Sequence, residues 1–241
     1  MSFLHRVLPR GIFFVSGAVL VGLCGSARAV PVVDQSFFIP TPGFAYIIGG
    51  GYIDSEILPV GLTGTLTEVD LQAWQWASTT GTVSFEVRKM LSDGPPDDLH
   101  SLILGQATLQ TSDFPIITSA AAFPKTVTLA TIDLSAQHIH VDAGERIAIS
   151  ATSDVPDLFP NGDFLWAATN QGVDGYPAGD AWTYFNNANS IGWYKEVGAR
   201  TVDRGFQTFI DTAPEPTSIA TLVIAAPALL RRRGFGARIR R

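Results

Sequence analysis

The positions of histidine and acidic residues limit the chemistry open to this chain. Beyond residue 29 there are three histidines, His100, His138 and His140. A serine-type hydrolase needs an activated nucleophile, a histidine base and an acid. No Gly-x-Ser-x-Gly elbow is present, and the single cysteine, Cys24, sits in an apolar N-terminal run. His138 and His140 are two residues apart, so a strand would put them on one face, opposite Ile139 and Val141. A third ligand from a neighbouring strand would complete a transition-metal site. Histidines on a polar strand face more commonly meet solvent. A carboxylate pair separated by about 5–10 Å could hydrolyse a glycosidic bond. With 22 acidic residues in the chain, some pair at that separation arises by chance. No catalytic residue is assigned, and the chain reads as a non-enzyme.

Two binding chemistries remain. Asp154, Asp157, Asn161, Asp163, Asp174 and Asp180 lie in turn-rich sequence, and hard cations take several oxygen ligands from loops. Structural Ca2+ on Asp154, Asp157, Asp163, Asp174 and Asp180 is one candidate. EF-hand spacing is absent, and solvated loop aspartates are the default. Asp34 and Asp203 could share another such site if the terminal strands pair. The second chemistry is aromatic. Trp74, Trp76, Trp166, Tyr176, Trp182, Tyr184, Trp193 and Tyr194 fall mostly in the second half, among Asn, Gly and Asp. Sugar rings stack on exposed indoles while amides and carboxylates meet their hydroxyls. Trp166, Tyr176, Trp182 and Trp193 form the candidate glycan-binding set. Large aromatics also fill sandwich cores, so exposure decides between the two uses. The segment from Trp182 to Trp193 holds Asn186, Asn187, Asn189 and Ser190, which predicts a loop over at least part of it.

Charge is segregated along the 241 residues, of which 46% are apolar and 16% charged. Nine of the 16 basic residues lie before residue 30 or after residue 230. All 22 acidic residues fall between Asp34 and Glu215, with only seven Lys and Arg among them, a formal charge of −15. That balance argues against nucleic acid or anionic lipid as partners of the centre, because phosphate binding needs clustered Lys and Arg. Without a cysteine beyond Cys24 the centre holds no disulfide, so its core must stabilise it unaided. About 180 residues suffice for that.

Strand signals recur through this centre. Val83, Phe85 and Val87 alternate with Ser84, Glu86 and Arg88, the pattern of a half-buried strand. Val69, Leu71 and Ala73 alternate with Glu68, Asp70 and Gln72, and the apolar phase switches at Trp74, which predicts a bulge. Another switch separates Val127 and Leu129 from Ile132 and Leu134. Ile139 and Val141 precede the turn Asp142-Ala143-Gly144, after which Ile147, Ile149 and Ala151 resume the alternation. Gly49-Gly50-Gly51, Asp93-Gly94-Pro95-Pro96 and Asn161-Gly162 punctuate these runs. No sustained helical spacing appears outside the two ends. The fold expected is all-β, an antiparallel jelly-roll-like β-sandwich over residues 30–212, flanked by an N-terminal signal helix and a short C-terminal apolar helix.

The ends carry a different message. His5, Arg6 and Arg10 lead into an apolar stretch from Gly11 to Gly25, and Ala27-Arg28-Ala29 offers the small residues that a signal peptidase accepts. Residues 1–29 therefore read as a signal peptide, with Ala27 and Ala29 at its cleavage site. In residues 213–241, Pro214-Glu215-Pro216 precedes the apolar run Thr217–Leu230, halted by Arg231-Arg232-Arg233. That run has 14 residues, against about 20 for a spanning helix. Arginines on the cytoplasmic side would fix its orientation.

Pro214, Glu215, Pro216, the apolar run and Arg231, Arg232 and Arg233, in this order within the last 28 residues, resemble the PEP-CTERM sorting signal of exported bacterial proteins. Pro227 within the run and a longer basic tail differ from the usual pattern. The resemblance implies export, membrane retention through the C-terminal segment, and processing by exosortase, for which Pro214-Glu215-Pro216 is the signal read. Many members of that family accompany exopolysaccharide genes. Gly61 to Ile210 also resembles the β-sandwich domains of surface proteins bearing such anchors. Leu62-Thr63-Gly64-Thr65-Leu66, Asp93-Gly94-Pro95, Ala143-Gly144-Glu145, Tyr176-Pro177-Ala178-Gly179-Asp180-Ala181-Trp182 and Asp203-Arg204-Gly205-Phe206-Gln207-Thr208-Phe209 carry that likeness. Together these readings predict an exported cell-surface or biofilm-matrix protein with a structural or adhesive β-sandwich. The alternative is a calcium-assisted carbohydrate-binding module recognising exopolysaccharide.

Overall fold

Alternation along Thr82–Met90 sends Val83, Phe85 and Val87 into the core while Ser84 stays exposed, as the sequence pattern requires. The computed structural model of the chain describes residues 30–40, 44–49, 51–77, 79–118, 129–154, 163–187 and 190–212. The signal-peptide residues Ala27 and Ala29 lie outside these, as do the sorting residues Pro214, Glu215, Pro216 and Arg231 to Arg233. Val127 and the Asn161-Gly162 turn also lie outside.

The described residues form antiparallel sheets with short 3-10 turns between strands and no longer helix among them. One sheet pairs β1 (Val32–Phe37) with β15 (Phe206–Asp211), then β4 (Gly64–Leu71). Along the far edge of β4 lie β9 (Ala130–Asp133) and β10 (Ile139–Val141), end to end. A six-stranded sheet runs β14 (Ser190–Lys195), β13 (Asp180–Asn187), β3 (Ile53–Pro59), β11 (Arg146–Ser153), β6 (Thr82–Met90) and β7 (Ser101–Gln110). The third sheet runs β2 (Phe44–Ile48), β12 (Phe164–Ala168), β5 (Ala73–Trp76) and β8 (Ile116–Ile117), with β5 and β8 parallel.

One apolar cluster draws on all three sheets. Leu66, Val69, Ile132, Val141 and Phe206 come from the first, Leu58, Phe85, Val87, Ile147 and Ile149 from the second, and Ile48, Ala73, Phe164 and Trp166 from the third. These side chains are essentially removed from water, and burial on this scale is the main stabilising term in a fold without disulfides. A second cluster, with Trp74, Trp76, Ile117, Leu165 and Ile39, covers the opposite face of the third sheet.

The phase switch at Trp74 has a different cause from the bulge expected. The chain leaves the first sheet at Leu71 and enters the third at Ala73. Gln72 is the pivot: its N–H donates to the Gly205 carbonyl (2.9 Å) and its carbonyl accepts from the Ala167 N–H (2.8 Å). Its side-chain amide also brackets Ile39, accepting from the backbone N–H at 2.9 Å and donating to the carbonyl at 2.8 Å. Both faces of β5 are covered, so Ala73 points to one core and Trp74 and Trp76 to the other. The Asp142-Ala143-Gly144 turn likewise carries the chain from β10 in the first sheet to β11 in the second. Gly144 lies at φ +87°, a conformation that disfavours a side chain.

Candidate functional site

Strands β3, β13 and β14 form one end of the six-stranded sheet, and their two faces carry different chemistry. Residues paired across antiparallel strands share a face. Thr183 pairs with Asp54 and Ala181 with Glu56, whereas Trp182 pairs with Ser55 and Tyr184 with Ile53. On the other side of β13, Trp182 pairs with Lys195 and Tyr184 with Trp193. Asp54, Glu56 and Thr183 therefore face inward with the core residue Leu58, and Trp182, Tyr184 and Trp193 face outward.

Inward, the acidic pair meets Arg204, which precedes β15 and is completely buried. Its Nη2 donates to Asp54 Oδ1 (2.5 Å) and Thr183 Oγ1 (2.8 Å), and its Nη1 donates to the Ser55 carbonyl (2.9 Å). The Arg204 backbone N–H donates to Glu56 Oε2 at 3.2 Å. The guanidinium lies 4.6 Å from the Tyr46 ring centroid and 5.7 Å from that of Trp166, distances at which a cation is attracted to the ring face. Arg204 thereby ties β2 and β12 of the third sheet to β3 and β13 of the second. It is a structural pin made of charge.

Two carboxylates share one cation in this buried site. Burial pushes the Asp54 carboxyl up, with Arg204 pulling against it. Burial raises Glu56 well above its ordinary 4.5, again opposed by Arg204. Arg204 itself is held protonated more firmly than usual: burial works against its charge, but Asp54 and Glu56 outweigh it. Of the two, Glu56 is the carboxyl raised well above its ordinary value, and it receives only a backbone N–H in addition to the guanidinium's field. A carboxyl whose folded pKa is raised favours the fold fully below its unfolded pKa. That contribution disappears as pH rises through the folded value. Unfolding free energy should therefore decline as pH rises above about 4.5, by up to about 1.4 kcal/mol per pH unit per proton. Glu56→Gln should flatten the decline, and urea titrations of both proteins between pH 5 and 8 measure it. An equal slope in the two proteins would assign the proton elsewhere.

Outward, Tyr184 and Trp193 lie with ring centroids 5.4 Å apart at 59°. Trp182 packs beside Ile57, Met90 and Ala148, over the buried Ser55–Ser150 hydroxyl pair (2.6 Å). All three rings remain partly exposed. At the far end of the hairpin, Phe185 on the other face meets Tyr52 and Tyr194 edge-on, with centroids 5.3 and 5.2 Å away. Gly51, at φ +85°, lets this turn approach β13 closely: a Cβ there would stand 2.9 Å from the Asn186 carbonyl oxygen. Asp180 borders the outer face and binds both Arg146 Nη2 and Lys195 Nζ at 2.6 Å.

No known family model matches the chain, and no curated protein does.

The structure divides the expected glycan set. Trp182 and Trp193 come together on one face, and the region read as loop is the β13–β14 hairpin. Trp166 is instead a core residue with no exposed surface, its indole N–H donating to the Gly205 carbonyl at 2.8 Å. Tyr176 packs against Phe37 and Phe206 and donates its hydroxyl to Gln35 Oε1 at 2.9 Å. Tyr184 completes the outer face, and period-two counting from Trp182 was the signal for it.

The expected calcium residues are spread out. Asp154 accepts from the Thr82 N–H (2.8 Å), Asp163 is buried, and Asp157 lies outside the described residues. Asp174 and Asp180 do share a cleft of about 200 Å³, with Glu196 and Asp203, but the Lys195 ammonium already sits on Asp180. The terminal strands pair, yet Asp34 accepts from the Gly61 N–H and Asp203 from the N–H groups of Gly175 and Tyr176. His138 lies before β10 in the left-handed region at φ 51°, so strand alternation does not reach it. Among the described residues, no three His, Cys, Asp or Glu side chains converge as metal ligands.

Proposed function

We propose that this chain is an exported, non-enzymatic protein of the bacterial envelope, outer surface or extracellular matrix. Its β-domain, jelly-roll-like in plan, adheres to polysaccharide through the outer face of β13 and β14. The observation carrying this reading is the grouping of Trp182, Tyr184 and Trp193 on one partly exposed sheet face. Weakly positive C–H groups of a pyranose complement the negative face of an aromatic ring, and Asp180, Lys195 and Asn186 supply polar groups beside it. Affinity electrophoresis tests it: full-length protein should be retarded in gels containing the host's own exopolysaccharide, and the Tyr184→Ala/Trp193→Ala variant should migrate freely. Equal migration of the two would remove this face from the function.

Export and sorting rest on the sequence of the ends. A signal peptidase would act after Ala29, and exosortase would read Pro214-Glu215-Pro216 while the apolar run and Arg231 to Arg233 hold the chain in the membrane. Intact mass measured from the native host should fall by roughly the last 25 residues. Alanines at the three motif positions should leave that tail in place. A membrane-bound, full-mass tail in both proteins would mean a permanent anchor instead.

A further inference from the structure

We propose that the polysaccharide bound by this face is neutral, with equatorially substituted pyranose units and without uronate, sulfate or phosphate groups. The inference rests on the glycan reading above and adds the ligand's charge. Anionic sugars need a cation that is free to meet them. Among the described residues the six-stranded sheet carries four cations, Arg88 and Lys89 on β6, Arg146 on β11 and Lys195 on β14. Each is already bound to carboxylate. Arg88 meets Glu86 and Asp98 at 2.8 Å, Lys89 meets Glu145, and Arg146 and Lys195 converge on Asp180, with Asp93 taking the other end of Arg146 at 2.9 Å.

The cation nearest the rings is Lys195, and it too is engaged. Lys195 pairs across the ladder with Trp182, and the carboxylate that neutralises it is two residues from Trp182 on the same strand. An anionic sugar would have to break the Arg146–Asp180–Lys195 relay and approach the carboxylates that hold it. It would do so against a formal charge of −15 between Asp34 and Glu215. Like charges brought together across an interface oppose association. A neutral sugar meets no such penalty. Its flat C–H face matches rings, and its hydroxyls can accept from Lys195 and donate to Asp180 without disturbing the pair.

The test uses full-length protein in mild detergent against a fixed panel: the neutral chains cellulose, chitin and xyloglucan, and the anionic chains alginate and polygalacturonate. At least one neutral polymer should bind, with an affinity changing less than about twofold between 20 and 500 mM NaCl, since screening has little to act on. The anionic polymers should not bind. Asp180→Asn, which releases two cations beside the rings, should gain weak alginate binding that disappears with salt. Salt-sensitive binding of alginate or polygalacturonate by the unaltered protein would overturn the neutral assignment and leave the glycan reading standing. Absence of binding to every member of the panel and to the host's exopolysaccharide would overturn both. Circular dichroism on each variant distinguishes a lost site from a lost fold.

Discussion

Replacing Arg204 by methionine should lower the unfolding free energy by about 3–5 kcal/mol, the range for breaking a buried ion pair from one side. Methionine keeps much of the volume and supplies no donor. Asp54 would then be buried beside Thr183 with its countercharge gone, and the Ser55 carbonyl would lose the Nη1 donor. The rings of Tyr46 and Trp166 would lose the cation they flank. Glu56→Gln preserves shape, leaves the Arg204–Asp54 pair in place and removes a carboxyl that burial already disfavours as an anion. It should cost far less. Replacing Arg204, Asp54 and Glu56 together by apolar residues of similar volume should recover most of the loss, since the penalty comes from an unpaired charge rather than from missing attraction. Urea denaturation measures all three. A methionine variant within about 1 kcal/mol of the unaltered protein would mean that the pin stabilises nothing.

The second large effect concerns binding. Alanine at both Tyr184 and Trp193 should weaken polysaccharide affinity at least about 100-fold, roughly tenfold for each ring or about 1.4 kcal/mol apiece. These two rings are partly exposed and lie against each other outside the buried clusters, so their removal should leave the fold intact. Trp182 is a poorer single test, since it also covers Ile57, Met90 and Ala148 and its loss costs packing. Phenylalanine at Trp193 should restore part of the affinity, because a face remains to stack against. Loss of affinity in the phenylalanine variant equal to that in the alanine variant would indicate a polar contact through the indole N–H.

Strand positions were legible where one face was core and the other solvent. Val83, Phe85 and Val87 on β6, and Ile147, Ile149 and Ala151 on β11, follow their alternation into the interior. Sheet membership was not legible, because alternation is local and says nothing about which neighbour a strand joins. The same phase switch that a bulge would give at Trp74 comes from a change of sheet at Gln72. The charged pin was hidden for a related reason. Asp54 and Glu56 alternate with Ile53, Ser55 and Ile57, and carboxylates at that period ordinarily mark the solvent face. Here they mark the inner one, because Arg204 arrives from 150 residues away in the chain. Trp166 reads in the sequence like any other candidate stacking ring because composition cannot report exposure, yet it lies in the core, whereas Trp182 and Trp193 share one face of the β13–β14 hairpin.

Acrylamide quenching of tryptophan fluorescence tests the aromatic face most directly. Of the five tryptophans, Trp74 and Trp166 have no exposed surface and Trp76 has 6%, so Trp182 and Trp193 dominate what the quencher can reach. Saturating polysaccharide should reduce the quenching constant sharply, and the Trp193→Ala variant should show a smaller change at equal occupancy. Polysaccharide that binds while leaving quenching unchanged would be held somewhere other than the face formed by β13 and β14.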